Sequence, residues 1–186
     1  MKNLTMIALD DTDHLVHPEE FSEVTLWSSA LSIFTDFKNH QPSVIEGDTP
    51  AIQAEFLMRK AHVRLKLVVD KSDALVGTIS FNELDEQNFI KHLAKGVGRE
   101  EILVTDLMIP RAHIKAISYP ELKTVSISDV IHHLKQNHQQ HCLVIDPDVH
   151  HIRGIISASD IARRLHMPLV IESRPTFVDI FQAVKP

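Results

Sequence analysis

The residues best suited to chemistry in this chain are Ser157, Ser159 and Asp160, in the stretch RGIISASDIARRLH from Arg153 to His166. The apolar run ending in Ile155 and Ile156 gives way to them, and Ile161 and Leu165 then recur at helical spacing. The three polar groups therefore fall where a strand hands over to a helix. Two uses are open. An ionised Asp160 carries two acceptor oxygens and no donor, which suits the paired hydroxyls of a ribose. A helix starting near Ser159 would point unpaired N–H groups and the positive end of its dipole at a phosphate, with Ser157 as a small extra donor. Alternatively, Ser-x-x-Asp is a capping box, in which the acid satisfies the backbone N–H of its own cap.

A second copy of the pattern occurs at Ser80 and Glu83. Glutamate fits a capping box better than aspartate, so capping is the favoured reading there, and nucleotide contact the favoured one at Ser157 and Asp160. Arg111 and Arg163 are candidate phosphate partners because a guanidinium fork matches phosphate oxygens. Arg163 also stands three residues beyond Asp160, where an ordinary helical ion pair forms.

These motifs end two similar units. RLKLVVDKSDALVGTISFNEL (64–84) and QHCLVIDPDVHHIRGIISASDI (140–161) each give an apolar strand closing on aspartate (Asp70, Asp146), a polar turn, and a second strand containing glycine (Gly77, Gly154). Upstream of each lies a helical pattern. One is expected to start with Thr49 as N-cap and Pro50 as its first residue, carrying Ala51, Ala54, Met58 and Ala61 on one face. The other starts at Ser126 and carries Ile127, Val130, Ile131 and Leu134. Short extended segments, PSVI (42–45) and IKAIS (114–118), precede the helices. The pattern predicts an α/β (α+β) protein of two βαββα repeats, over 29–95 and 102–166, joined by the glycine-containing KGVGREE. An N-terminal extension (1–28) and a tail (167–186) flank them, the tail with Phe177, Ile180, Phe181 and Val184 on the stripe of a short docking helix.

Composition narrows the function classes. A formal net charge of −6 argues against capture of a nucleic-acid backbone. No apolar run approaches the ~20 residues of a membrane helix, and no signal-peptide segment opens the chain, so a cytoplasmic protein without membrane or nucleic-acid partners is expected. The single cysteine, Cys142, sits in an apolar run and reads as a buried, inert thiol. Six of the 13 histidines crowd positions 132–151, yet none shows metal-ligand spacing, so solvated histidines and no metal are expected. No catalytic motif is present, and the chain is not expected to be an enzyme.

The duplicated motifs LVVDKSDALVGTISFNEL and CLVIDPDVHHIRGIISASDIARRL, with DLMIPR (106–111) leading into the second, resemble a tandem cystathionine β-synthase (CBS) domain pair. The resemblance implies pseudo-twofold symmetry, two clefts between the repeats, and an adenine nucleotide as regulatory ligand: AMP, ATP or S-adenosylmethionine, with AMP or ATP foremost. It implies Asp160 as ribose acceptor and Ser157 as phosphate contact, with Ser159 and Ile156 beside them and Ser80 and Glu83 as their counterparts. In the first unit Glu83 replaces the family's usual aspartate, so one occupied site per chain is expected. The implied protein is a stand-alone, energy-sensing regulatory module, a homodimer that signals to a protein target the sequence does not name. The alternative is a ligand-free dimerisation module whose Ser and acid residues only cap helices.

Overall fold

The computed structural model describes residues 24–167 and positions 8, 10 and 11. The docking helix expected in the tail lies outside the described residues. After a 3-10 turn at Ala30–Ile33 come β1 (Thr35–Asp36), β2 (Val44–Glu46), α1 (Ala51–Lys60), β3 (Leu65–Val69), β4 (Leu75–Ser80) and α2 (Glu86–Leu93). The second half follows with α3 (Val104–Leu107), β5 (Ile109–Pro110), β6 (Ala116–Ser118), α4 (Tyr119–Leu122), α5 (Ile127–Gln136), β7 (His141–Asp146), β8 (His151–Ser157) and α6 (Ala158–Arg164).

The strands form two four-stranded sheets, ordered β2-β3-β4-β5 and β1-β8-β7-β6. Each is built alike. A short strand runs parallel to the first arm of a hairpin (β2 on β3, β6 on β7), and the hairpin arms are antiparallel. Both hairpins shift register at matching points, Val68/Val69 and Val144/Ile145.

The two sheets exchange their outermost strands. β1, from the first half, pairs with β8 through Thr35↔Ile155 and Asp36↔Gly154, and β5, from the second, pairs with β4 through Gly77↔Pro110 and Thr78↔Ile109. Glycine allows this close approach. A Cβ on Gly77 would stand 2.6 Å from the Ile109 carbonyl oxygen, and one on Gly154 would run into the Thr35 carbonyl and the Phe34 ring. The cores follow the same exchange. Ile102 and Val104, which lead into the second repeat, are fully buried with Met58, Val68, Ile79 and Phe89 of the first. Ala30 and Ile33, which lead into the first, are buried with Ile127, Leu134, Val144, Ile156 and Ile161 of the second. At roughly 1.5–3 kcal/mol for a fully buried aliphatic side chain, each leading segment is held firmly in the other repeat.

The exchange also corrects one expected cap. Pro50, not Thr49, is the N-cap of α1, and no side chain caps it. The Ala51 N–H instead donates to the Ile102 carbonyl at 2.8 Å, so the crossing chain replaces a capping side chain. In α5 both devices operate. Ser126 and Asp129 form a capping box, and the Ile127 N–H donates to the Ser28 carbonyl at 3.0 Å.

Candidate functional site

Two clefts open between the repeats, and the strand registers make them counterparts. Leu65 pairs with Ser80 where His141 pairs with Ser157, so Arg64 corresponds to Gln140 and Ser80 to Ser157. Val44 pairs with Leu67 where Ala116 pairs with Leu143, so Ser43 corresponds to Lys115. The larger cleft, about 550 Å³, is lined by Ser157, Ser159, Asp160 and Arg163 from one repeat and by Ser43, His62, Arg64 and Leu65 from the other, with Thr35 and Phe37 of the β1 segment. The smaller, about 170 Å³, is lined by Thr78, Ser80, Asn82 and Glu83 together with His113, Lys115, His138 and Gln140. Leu65, His141 and Ile155 form a wall common to both.

The two acids are held differently. Glu83 Oε2 accepts the Ser80 N–H at 2.8 Å and the Ser80 hydroxyl at 2.5 Å, so its carboxylate is folded back on its own backbone. The helix here starts only at Glu86, capped by Asp85, so this box closes a turn rather than a helix. Asp160 makes no such bond. Its Oδ1 pairs with Arg163 Nη2 one helical turn on, and the side chain stays part-exposed at the cleft wall. Ser157 is the N-cap of α6, with its Oγ accepting the Ser159 N–H at 3.2 Å and lying 2.6 Å from Ser159 Oγ. One hydroxyl proton joins that pair, leaving the other able to donate into the cleft.

Two expected contacts lie outside both clefts. The Ile156 side chain is fully buried in the second core and lines neither cleft, because its strand position points it away from the neighbouring repeat. Arg111 lines neither cleft either. It lies in a separate depression with Phe37, Lys38, Leu75 and Arg153, its Nη1 3.5 Å from the Leu75 carbonyl, because β5 carries it to the far edge of the first sheet. The helix N-terminus is also less open than its sequence suggests. The Ala158 N–H donates to the Gln140 carbonyl at 2.9 Å and the Ser159 N–H to Ser157, so the first two amides of α6 are already engaged.

The structure adds residues that local spacing could not reveal. Arg64 lines the larger cleft and makes no hydrogen bond or ion pair among the described residues. Ser43 lines it too, its Oγ accepting from Lys66 Nζ at 3.0 Å. His62, at the turn between α1 and β3, has φ +53, and its counterpart His138 has φ +50. The only sequence signal was that each residue stands shortly before an apolar strand.

The CBS domain family matches residues 35–86 and 122–167, together more than half of the chain. The chain belongs to the CBS domain family. Its fold is similar to that of CBSX2 from Arabidopsis thaliana, solved in complex with AMP, at 21% identity and TM-score 0.51 over 74% of this chain and 94% of that one. A conserved protein from Pyrococcus horikoshii is similar at 15% identity and TM-score 0.55, over 80% of this chain and all of that one. A CBS domain protein from Thermoplasma acidophilum is similar at 21% identity and TM-score 0.50, over 81% and 76%. No curated protein matches the chain.

In this CBS pair the wall between the clefts is electrostatically uneven. Burial pushes the His141 imidazole down to about 4, the nearby Asp160 carboxylate opposes that shift, and Arg64 adds to it. His141 is therefore neutral near pH 7 and senses charges on both sides of the larger cleft. Burial raises the Cys142 thiol to about 11, which leaves it protonated and unreactive. Among the described residues no cluster of His, Cys, Asp or Glu is arranged to hold a metal ion, and no helix is long and apolar enough to cross a membrane.

Proposed function

We propose that this CBS pair is a cytoplasmic regulatory module, not an enzyme, that binds one adenine nucleotide per chain in the larger cleft. The observation that carries the reading is the contrast between the two acids. Asp160 borders a cleft of about 550 Å³ with Oδ2 unengaged among the described residues, whereas Glu83 is closed onto Ser80 beside a cleft of about 170 Å³. An unengaged carboxylate oxygen can accept from ribose hydroxyls, and Ser157 or Ser159 can donate to the ligand. That CBSX2 was solved with AMP supports the choice of ligand class. At the first motif the acid is committed to its own backbone, in a box that closes a turn.

The cleft draws its walls from both repeats, so a ligand there favours one arrangement of the repeats over another. That difference in affinity is what would be passed to a regulated protein. Competition between AMP and ATP for the cleft would make the module an energy sensor. A second copy of the chain is the partner we assign to the exposed apolar residues Phe56 and Leu57 of α1 and Ile90 and Leu93 of α2, through a self-complementary contact.

Thermal unfolding of the full chain with a nucleotide panel tests the reading. A ligand at 100 times its dissociation constant should add about 2.7 kcal/mol of stability. No shift with any adenine nucleotide would leave a ligand-free dimerisation module.

A further inference from the structure

We propose that an apolar slot beside β2 docks a basic, aromatic peptide segment of a partner protein. One ring enters the slot, and a flanking arginine meets the acids at its rim. The slot shares no residue with either cleft, so the assignment does not rest on the nucleotide reading. About 260 Å³ in volume, it is walled by Gly47, Val69, Val76, Thr105 and Met108. Glu46, Asp48 and Asp70 stand exposed around it, and Lys71 offsets one of them through its ion pair with Asp48.

The second repeat shows what such a slot holds. The strand registers place Tyr119 where Gly47 stands, Phe34 where Met108 stands, Arg153 where Val76 stands and Asp146 where Asp70 stands. The same correspondence appears at the close approaches, where Met108 crowds Gly77 and Phe34 crowds Gly154. In the second repeat the Tyr119 ring packs 5.8 Å from Phe34, Arg153 stacks 4.3 Å from its centre, and Asp146 stands 3.9 Å from Arg153 Nη1. The first repeat keeps this frame without its contents. Gly47 brings no ring, Val76 brings no charge, and Asp70 makes no ion pair among the described residues, its Oδ1 accepting only from Ser72 and Ala74. A partner's ring would rest on the Met108 thioether, a favourable contact for sulfur. An arginine beside it would stack on the ring and pair with Asp70, as Arg153 does with Tyr119 and Asp146. β2 is the outermost strand of its sheet, so an extended segment can lie along that edge.

Amide-resolved NMR titration of the full-length protein tests the assignment, with the synthetic peptides Gly-Arg-Tyr-Arg-Gly, Gly-Arg-Ala-Arg-Gly and Gly-Glu-Tyr-Glu-Gly as probes. The first should shift the amides of Gly47, Asp70, Val76 and Thr105 and bind at least about tenfold more tightly than either control. Thr105→Phe, which puts a ring over the slot from an exposed position, should abolish that binding. Glu46→Gln combined with Asp70→Asn should weaken the first peptide about tenfold and remove the salt dependence of its binding. If Thr105→Phe loses its dispersed amide signals, the double variant decides alone. Equal binding of the tyrosine and alanine peptides by the wild type would overturn the proposal, and so would an absence of shifts at the slot. Binding that appears only when Phe177→Ala and Phe181→Ala are combined would also overturn it, since the slot would then belong to the chain's own tail.

Discussion

Asp36 and Arg153 lie 117 positions apart and are joined by two hydrogen bonds, Nε to Oδ1 at 2.8 Å and Nη2 to Oδ2 at 2.7 Å. Both side chains are largely buried, Arg153 also stacks 4.3 Å from the centre of the Tyr119 ring, and Asp146 stands 3.9 Å from its Nη1. The pair pins β1 to the second sheet. It also fixes the neighbours of Asp36, because Thr35 and Phe37 line the larger cleft.

This pair makes stability depend on acid. The Arg153 guanidinium holds the Asp36 carboxyl at about 2, below its ordinary 3.8. A depressed carboxylate stabilises the fold above its unfolded value and loses that contribution as pH falls through the folded one. Unfolding midpoints should therefore drop between pH 3.8 and about 2, and Asp36→Asn should flatten that part of the profile while lowering the midpoint near pH 7. Circular dichroism melts across pH measure both, and an unchanged acid limb in Asp36→Asn contradicts the pairing.

Asp160 and Glu83 should respond oppositely to the same substitution. Asp160→Ala should abolish the thermal shift by adenine nucleotides and leave the ligand-free melt within about 0.5 kcal/mol, since it breaks only an exposed ion pair. Glu83→Ala should keep most of the shift and lower the ligand-free stability by about 1–2 kcal/mol, because the part-buried hydrogen bonds from Ser80 lose their acceptor. Equal loss of the ligand response in both variants would mean that both clefts bind.

The strand exchange predicts two costly glycine substitutions. Gly154→Ala and Gly77→Ala should each destabilise the protein by about 1–3 kcal/mol or more, as overpacking forces the partner strand away. Gly154→Ala should be the worse, because its new methyl meets backbone and an aromatic ring, whereas part of the obstacle at Gly77 is the flexible Met108 side chain. Denaturant titration gives the order, and two neutral substitutions would mean that the sheets do not share strands this closely.

The apolar faces of α1 and α2 predict self-association. Phe56→Glu combined with Ile90→Glu should convert a dimer into a monomer in sedimentation experiments without loss of helical signal. Phe56 is 61% and Ile90 54% exposed, so neither supports a core. A wild-type monomer at micromolar concentration would refute the assigned partner.

The repeats were legible because their signals are local. Asp70 with Gly77 and Asp146 with Gly154 punctuate two hairpins, and the stripe from Ile127 to Leu134 marks α5 by its period. The exchange was not legible. β1 and β5 are two residues each, too short to show a period, and their partners are fixed by packing across the molecule. Thr49 misled for the same reason, since the group that satisfies the start of α1 is the carbonyl of Ile102. Of the proposed ligand contacts, Ser157, Ser159, Asp160 and Arg163 stood in one motif and meet in one cleft. Arg64 carries no motif of its own and joins them only because the repeats face one another. Arg111 looked suitable as an isolated arginine, but the crossing strand carries it to another surface.

The traded strands tie the birth of the protein to its completion. When the first half leaves the ribosome, its sheet still lacks β5 and its interior lacks Ile102 and Val104. That half cannot finish until the next stretch of polypeptide arrives, and a chain cut at the glycines of KGVGREE would yield two fragments, each with an open edge and a hole that only the other can fill.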